Sequence, residues 1–247
     1  MEDAITLSLH ASMKTWSREL YAFYANLQPP KELPNGIEWL YPQQDAKVMH
    51  LVKLFLDKYF NDKGERRLLL GINPGRFGAG VTGVNFTASK QLKEDCGIDS
   101  GLKLQSELSA EFIYRMIQAY GGPKTFYRHF FIGSVCPLGF IKGGKNINYY
   151  DDKALASTVE PFIIQNIEHL LRLKFSRKVC YCIGGEKNFK YLSRLNDSQQ
   201  WFDTIIPLPH PRFILQYRRK QTDEYVRQYL KALGAEEMHG SKSAQQD

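Results

Sequence analysis

The sequence predicts an α/β fold: a three-layer αβα arrangement around a central four-stranded parallel sheet with helices on both faces. Three observations lead there. Four short apolar runs, Leu68–Leu70, His129–Val135, Lys178–Ile183 and Asp203–Leu208, end at glycine, Cys-Pro or proline. Runs of that length, bounded by turn residues, read as buried strands. Between them lie longer segments with apolar residues three and four apart, the period of an amphipathic helix. Strands that alternate with helices join in parallel, and the helices then cover both faces of the sheet.

Taken in order, residues 4–27 place Ile5, Leu9, Met13, Trp16, Leu20, Phe23, Tyr24 and Leu27 on one helical face. Pro29, Pro30, Pro34, Gly36 and Pro42 enforce an extended, turn-rich connection. A second helix, residues 44–60, buries Val48, Leu51, Val52, Phe55 and Tyr59 and stops at Asn61-Asp62-Lys63-Gly64. The first strand then runs into a glycine-rich loop. Thr87 to Gly101 reads as partly helical, and Ser109 as the cap of a helix that reaches Tyr120 and closes at Gly121-Gly122-Pro123. After the second strand, Gly143-Gly144 marks a mobile loop, and residues 153–174 form a long helix. Further helices are expected over residues 186–195 and 222–233, with a frayed tail at 235–247. No repeat or linker interrupts the chain, so residues 1–247 read as one domain with helices 4–60 packed on it.

Composition narrows the function classes. The 247 residues are 43% hydrophobic and 24% charged, which excludes wholesale disorder. A net charge of +7 points to an anionic partner, nucleic acid being the commonest. Cys96, Cys136, Cys180 and Cys182 form no C-x-x-C pair and read as reduced, buried residues. No His/Cys cluster has metal spacing, and no metal or other cofactor is expected. With no signal peptide and no apolar run of ~18–20 residues, an intracellular, cytoplasmic protein with no membrane partner is expected, acting as a monomer.

Asn73, Ser134, Gly184 and His210 each fall at the carboxyl end of a different strand, and in such a sheet those ends share one edge where ligands bind. The loop Gly71 to Gly83 matches neither phosphate-binding fingerprint, G-x-x-x-x-G-K-[ST] or G-x-G-x-x-G, so a phosphate cradle and a ligand-free turn stay open. His210 is held between two prolines. Arg212, Arg218, Arg219 and Lys220 follow, interleaved with Phe213, Ile214, Leu215 and Tyr217; they suit either phosphate contact with insertion into a base stack or a solvated charge cluster. No carboxylate stands in the Asn73 loop and no Ser-His-Asp arrangement is apparent, so chemistry here would lean on amides and a histidine.

With these residues in hand, the chain resembles the uracil-DNA glycosylase superfamily, and within it the single-strand-selective monofunctional uracil-DNA glycosylase family. Gly71-Ile72-Asn73-Pro74-Gly75-Arg76-Phe77-Gly78, continued by Thr82-Gly83-Val84-Asn85-Phe86, resembles that family's first motif. The strand to Ser134 with Val135-Cys136-Pro137-Leu138 resembles its second block, and His210-Pro211 the start of its last. The resemblance implies a four-stranded parallel sheet and hydrolysis of the N-glycosidic bond of uracil in single- or double-stranded DNA, with the base flipped out and no lyase step. It assigns water positioning to Asn73, stacking on the base to Phe86, stabilisation of the departing base to His210, and pocket positions to Ile72, Gly75 and Phe77. Arg76, Arg212, Phe213, Arg218 and Arg219 are the implied DNA contacts, and which residue after His210 wedges into the duplex stays open.

Two departures stand out. Arg212-Phe213-Ile214-Leu215 replaces a more polar, proline-containing stretch. Ser134 stands where the family has an Asn that reads the uracil edge, and a hydroxyl cannot reproduce a bidentate amide. A roomier pocket that admits hypoxanthine or xanthine is the expectation. The other readings are a mismatch-specific uracil/thymine glycosylase, a hydrolase of free nucleotides, and a non-catalytic nucleic-acid-binding module.

Overall fold

The computed structural model describes residues 15–235. Its first elements are α1 (Trp16–Ala25), β1 (Ile37–Leu40), α2 (Ala46–Tyr59), β2 (Arg67–Gly71), α3 (Ala79–Thr82) and α4 (Ser89–Glu94). Then come α5 (Leu108–Ala119), α6 (Gly122–His129), β3 (Phe130–Ser134), β4 (Gly139–Lys142), β5 (Lys145–Ile147) and α7 (Lys153–Arg172). The last are β6 (Val179–Ile183), α8 (Gly185–Gln199), β7 (Thr204–Leu208), α9 (Pro211–Tyr217) and α10 (Thr222–Ala232). The parts of the predicted first helix and tail at residues 4–14 and 236–247 lie outside the described residues.

The predicted sheet is present: four parallel strands in the order β3-β2-β6-β7. Every residue of β3, and all but the first of β2 and β6, is buried, so both faces are covered, as a parallel sheet requires. β7 is the exposed edge. From β2 the chain crosses to β3 on one side; from β6 it crosses to β7 on the other. The order therefore reverses between β2 and β6, and a crevice opens outside their carboxyl ends. Beneath it, one apolar core runs from Trp16 in α1 to Leu233 after α10. Among the described residues, no helix is long and apolar enough to cross a membrane.

A second sheet went unread in the sequence. β1, inside the proline-rich connection, pairs antiparallel with β4, and β4 with β5. The Gly143-Gly144 segment, expected as a mobile loop, is the turn of that β4–β5 hairpin. Both residues have positive φ, +54° and +71°, which a tight hairpin turn needs and only glycine adopts freely. Two further boundaries differ. Glu107, not Ser109, caps α5: its Oε2 accepts from Ala110 N, and Ser109 donates to its Oε1, both at 3.0 Å. Gly122-Pro123 opens α6 instead of closing α5, because proline in a first turn forfeits no helical hydrogen bond.

Candidate active site

The crevice holds a cleft of about 400 Å³. Ile72, Asn73, Gly75, Phe77, Phe86, Ser134, His210 and Arg212 all line it, so residues up to 140 positions apart in sequence meet there. Arg76, Phe213, Arg218 and Arg219 do not line the cleft. Arg76 donates to Gly144 O and lies over the Phe77 ring, 4.6 Å from its centroid. Arg218 stands 5.7 Å from the Phe213 ring centroid, and Arg219 lies 3.8 Å from Glu111. Phe77, Phe213 and Tyr217 are exposed large apolar side chains.

Asn73 stands two residues past the end of β2. Its Nδ2 donates to Ile147 O at 3.3 Å and Pro74 O at 3.4 Å, and its Oδ1 accepts from Tyr149 N at 3.1 Å. The backbone carbonyl and amide on the two sides fix which end of the side chain is oxygen. One lone pair of Oδ1 is left over. The loop that holds Asn73 is itself tethered: Tyr149 Oη donates to Asn188 Oδ1 at 2.6 Å, and Asn188 Nδ2 donates to Ile183 O at 3.1 Å, at the end of β6. Two strand ends and the hairpin thus hold one amide in place.

His210 caps α9, its Nδ1 accepting from Arg212 N at 3.0 Å. A ring whose Nδ1 accepts must, when neutral, carry its proton on Nε2. Burial, with the Arg212 charge beside it, pushes the imidazole pKa down to about 4, so the ring is neutral at pH 7. A neutral Nε2–H donor results.

Phe86 adopts φ +51°, a left-handed conformation that bulky residues rarely take and that marks functional positions. Its ring lies so close to Gly71 that a Cβ there would stand 2.7 Å from Cε2. Glycine at 71 is what lets the ring approach the strand end.

The cleft also takes in Asn85, Glu107, Ser109, Asn146, Asn148 and Tyr150, none of which the sequence reading selected. Asn85 stood inside the quoted motif, beside Phe86. Asn146 and Asn148 flank β5, whose position only the hairpin reveals. Glu107 brings a carboxylate to the cleft, but both its oxygens serve the α5 cap. The four cysteines are buried and free, as read.

A doubly flanked parallel sheet with amides, a neutral histidine and an aromatic ring on a cleft at its carboxyl edge defines a class. The model of the uracil DNA glycosylase superfamily matches residues 58–234, and the chain belongs to that superfamily. Within it, the chain is similar to the wild-type Pedobacter heparinus SMUG2 crystal structure: 43% identity and a TM-score of 0.86, over 90% of this chain and 98% of that one. It is also 32% identical, over 102 and 98 residues, to the single-strand selective monofunctional uracil-DNA glycosylases of Rattus norvegicus and Mus musculus. Those matches cover 34% and 32% of this chain, and the chain spans only 37% and 35% of those relatives.

Proposed function

We propose that the protein is a monofunctional DNA glycosylase that flips uracil out of DNA and hydrolyses its N-glycosidic bond. The observation that carries this reading is the convergence of Asn73, Phe86, Ser134 and His210 on one cleft at the strand ends. Extruding a base costs a few kcal/mol, less from a single strand or a mismatch. In the cleft the base stacks on Phe86. As the bond from C1′ to the base breaks, its electrons leave with the base and the sugar becomes cationic. The Nε2–H of neutral His210 donates to the base oxygen on which the negative charge grows; such a donor is worth about 10²–10³ in rate. Water, its proton directed at the spare lone pair of Asn73 Oδ1, adds to C1′ and releases a proton. No strong base is required, because the sugar cation is the better electrophile, and no lysine lines the cleft to form an imine with the sugar.

Ser134 occupies the base-edge position with a smaller side chain and a single hydroxyl. Deaminated purines, hypoxanthine and xanthine, are included as substrates on that ground. Arg76, Arg212, Arg218 and Arg219, with exposed Phe77, Phe213 and Tyr217, form the DNA-contacting rim. Single- and double-stranded oligonucleotides, each carrying one uracil, hypoxanthine or xanthine, test the reading. Base release leaving an alkali-labile abasic site is the expected result. Release from free nucleotides alone, or DNA binding without release, would overturn it. Excision confined to uracil, unchanged in Ser134→Asn, would remove the purines from the proposal.

A further inference from the structure

Asn85 is buried beside the cleft, and its Oδ1 receives the Ser134 hydroxyl at 2.8 Å. Its Nδ2 faces Ile132 O at 3.4 Å and Tyr24 Oη at 3.3 Å. A backbone carbonyl only accepts, so Nδ2 must be the end that faces Ile132 and Oδ1 the end that faces Ser134. A serine has one proton, and here Asn85 takes it. Ser134 is left with lone pairs and no donor for anything that enters the cleft.

We propose that Asn85 determines base specificity as a positioning residue, holding the Ser134 hydroxyl as a pure hydrogen-bond acceptor at the base edge. This inference rests on the glycosylase reading and deepens it. Uracil, hypoxanthine and xanthine each carry a ring N–H at the edge used in pairing. At the same place cytosine and adenine carry a bare ring nitrogen, itself an acceptor. Two acceptors face to face leave both desolvated and unpaired, which a buried site rejects by about tenfold or more. Deamination of cytosine or adenine converts the rejected edge into the accepted one: the amino group becomes a carbonyl and the ring nitrogen gains a proton. One fixed hydroxyl thereby distinguishes uracil from cytosine and hypoxanthine from adenine, without the bidentate amide that Ser134 lacks. The same orientation gives no discrimination against thymine or guanine, which also carry a ring N–H, so those must be excluded by shape.

The test is the ratio of uracil to cytosine release from otherwise identical single-stranded oligonucleotides, with folding followed by thermal denaturation. In Asn85→Leu the Ser134 hydroxyl is free to rotate and donate to the cytosine ring nitrogen. The expected result is a uracil-to-cytosine ratio at least about tenfold lower than wild type. Asn85→Asp keeps an oxygen facing Ser134 in either protonation state and is expected to hold the ratio. In a Ser134→Ala background, Asn85→Leu should leave the ratio where Ser134→Ala alone puts it. A merely structural role lowers both rates together and leaves the ratio unmoved. Wild-type uracil release with an unchanged ratio in Asn85→Leu overturns this proposal alone; absence of uracil release by the wild type overturns the glycosylase reading instead. Should Asn85→Leu fail to fold, Asn85→Asp still decides: a ratio that collapses in folded Asn85→Asp contradicts the proposal.

Discussion

Gly71→Ala probes how the pocket wall is built. The added methyl carbon would stand 2.7 Å from Cε2 and 2.9 Å from Cζ of Phe86. Unstrained carbon pairs sit about 3.5–4.0 Å apart, so the ring must shift by about 1 Å. The nearest alternative atom, Gly133 O, is 3.6 Å away and offers no clash to share the strain. Overpacking of this kind costs about 1–3 kcal/mol of stability. For a chain of this size that lowers Tm by a few degrees, about 2–4 °C per kcal/mol. Misplacement by about 1 Å at a reacting centre costs about 10² in rate. Gly71→Ala should therefore remain folded at assay temperature yet release uracil about a hundredfold more slowly under single-turnover conditions. Thermal denaturation and single-turnover uracil release on the same preparation measure the two effects. A variant with wild-type release and a lowered Tm would show that Phe86 packs against the strand without serving as the stacking surface.

Other perturbations reach the site by different routes. His210→Gln should lower uracil release by about 10²–10³ with little change in DNA binding, read from rate and from fluorescence anisotropy. Between the ordinary histidine value of 6.5 and about 4 the unfolded chain binds a proton that folded His210 refuses. The His210 contribution to stability is thus complete above that window and is lost as pH falls through it, so denaturant titrations on acidification should show a shallower decline in His210→Gln. For the same reason an NMR titration should find His210 as the neutral Nε2–H tautomer at pH 6, and an imidazolium there would contradict the hydrogen bond from Arg212 N. Tyr149→Phe leaves Asn188 Oδ1 without its donor; it should cost about 1–3 kcal/mol and lower the rate of release more than DNA affinity, because the tether of Asn73 is loosened. Arg212→Ala and Arg218→Ala should each weaken DNA binding and reduce the slope of log affinity against log salt by about one, whatever base is present.

The parallel sheet was legible because its strands are buried on both faces, so Leu68-Leu69-Leu70 and Val179 to Ile183 read as unbroken apolar runs. The strand-end residues followed from it. Given four parallel strands, Asn73, Ser134 and His210 had to share an edge. The second sheet was not legible. β5 is Lys145-Asn146-Ile147, too short and polar to signal a strand, and β1 finds its partner about a hundred residues away, with Leu40 opposite Gly139. With that hairpin went Asn146, Asn148 and Tyr149, and so the tether that aims Asn73. The helix after His210 does not announce itself in the sequence. Its start depends on a histidine ring acting as N-cap ahead of proline, a pattern outside the usual Ser, Thr, Asp and Asn signals. Asn85 was visible as a letter in a motif, but the hydrogen bond it accepts from Ser134 appears only in the structure.

The most direct test compares wild type, Asn73→Ala and His210→Ala on one single-stranded oligonucleotide containing one uracil, with binding measured on the same strand. Uracil release by the wild type, loss of most of it in each variant, and DNA affinity close to wild type in both are the expected results. Full release by either variant, or no release by the wild type while it binds DNA, would contradict the assignment of the cleft as the site of base excision.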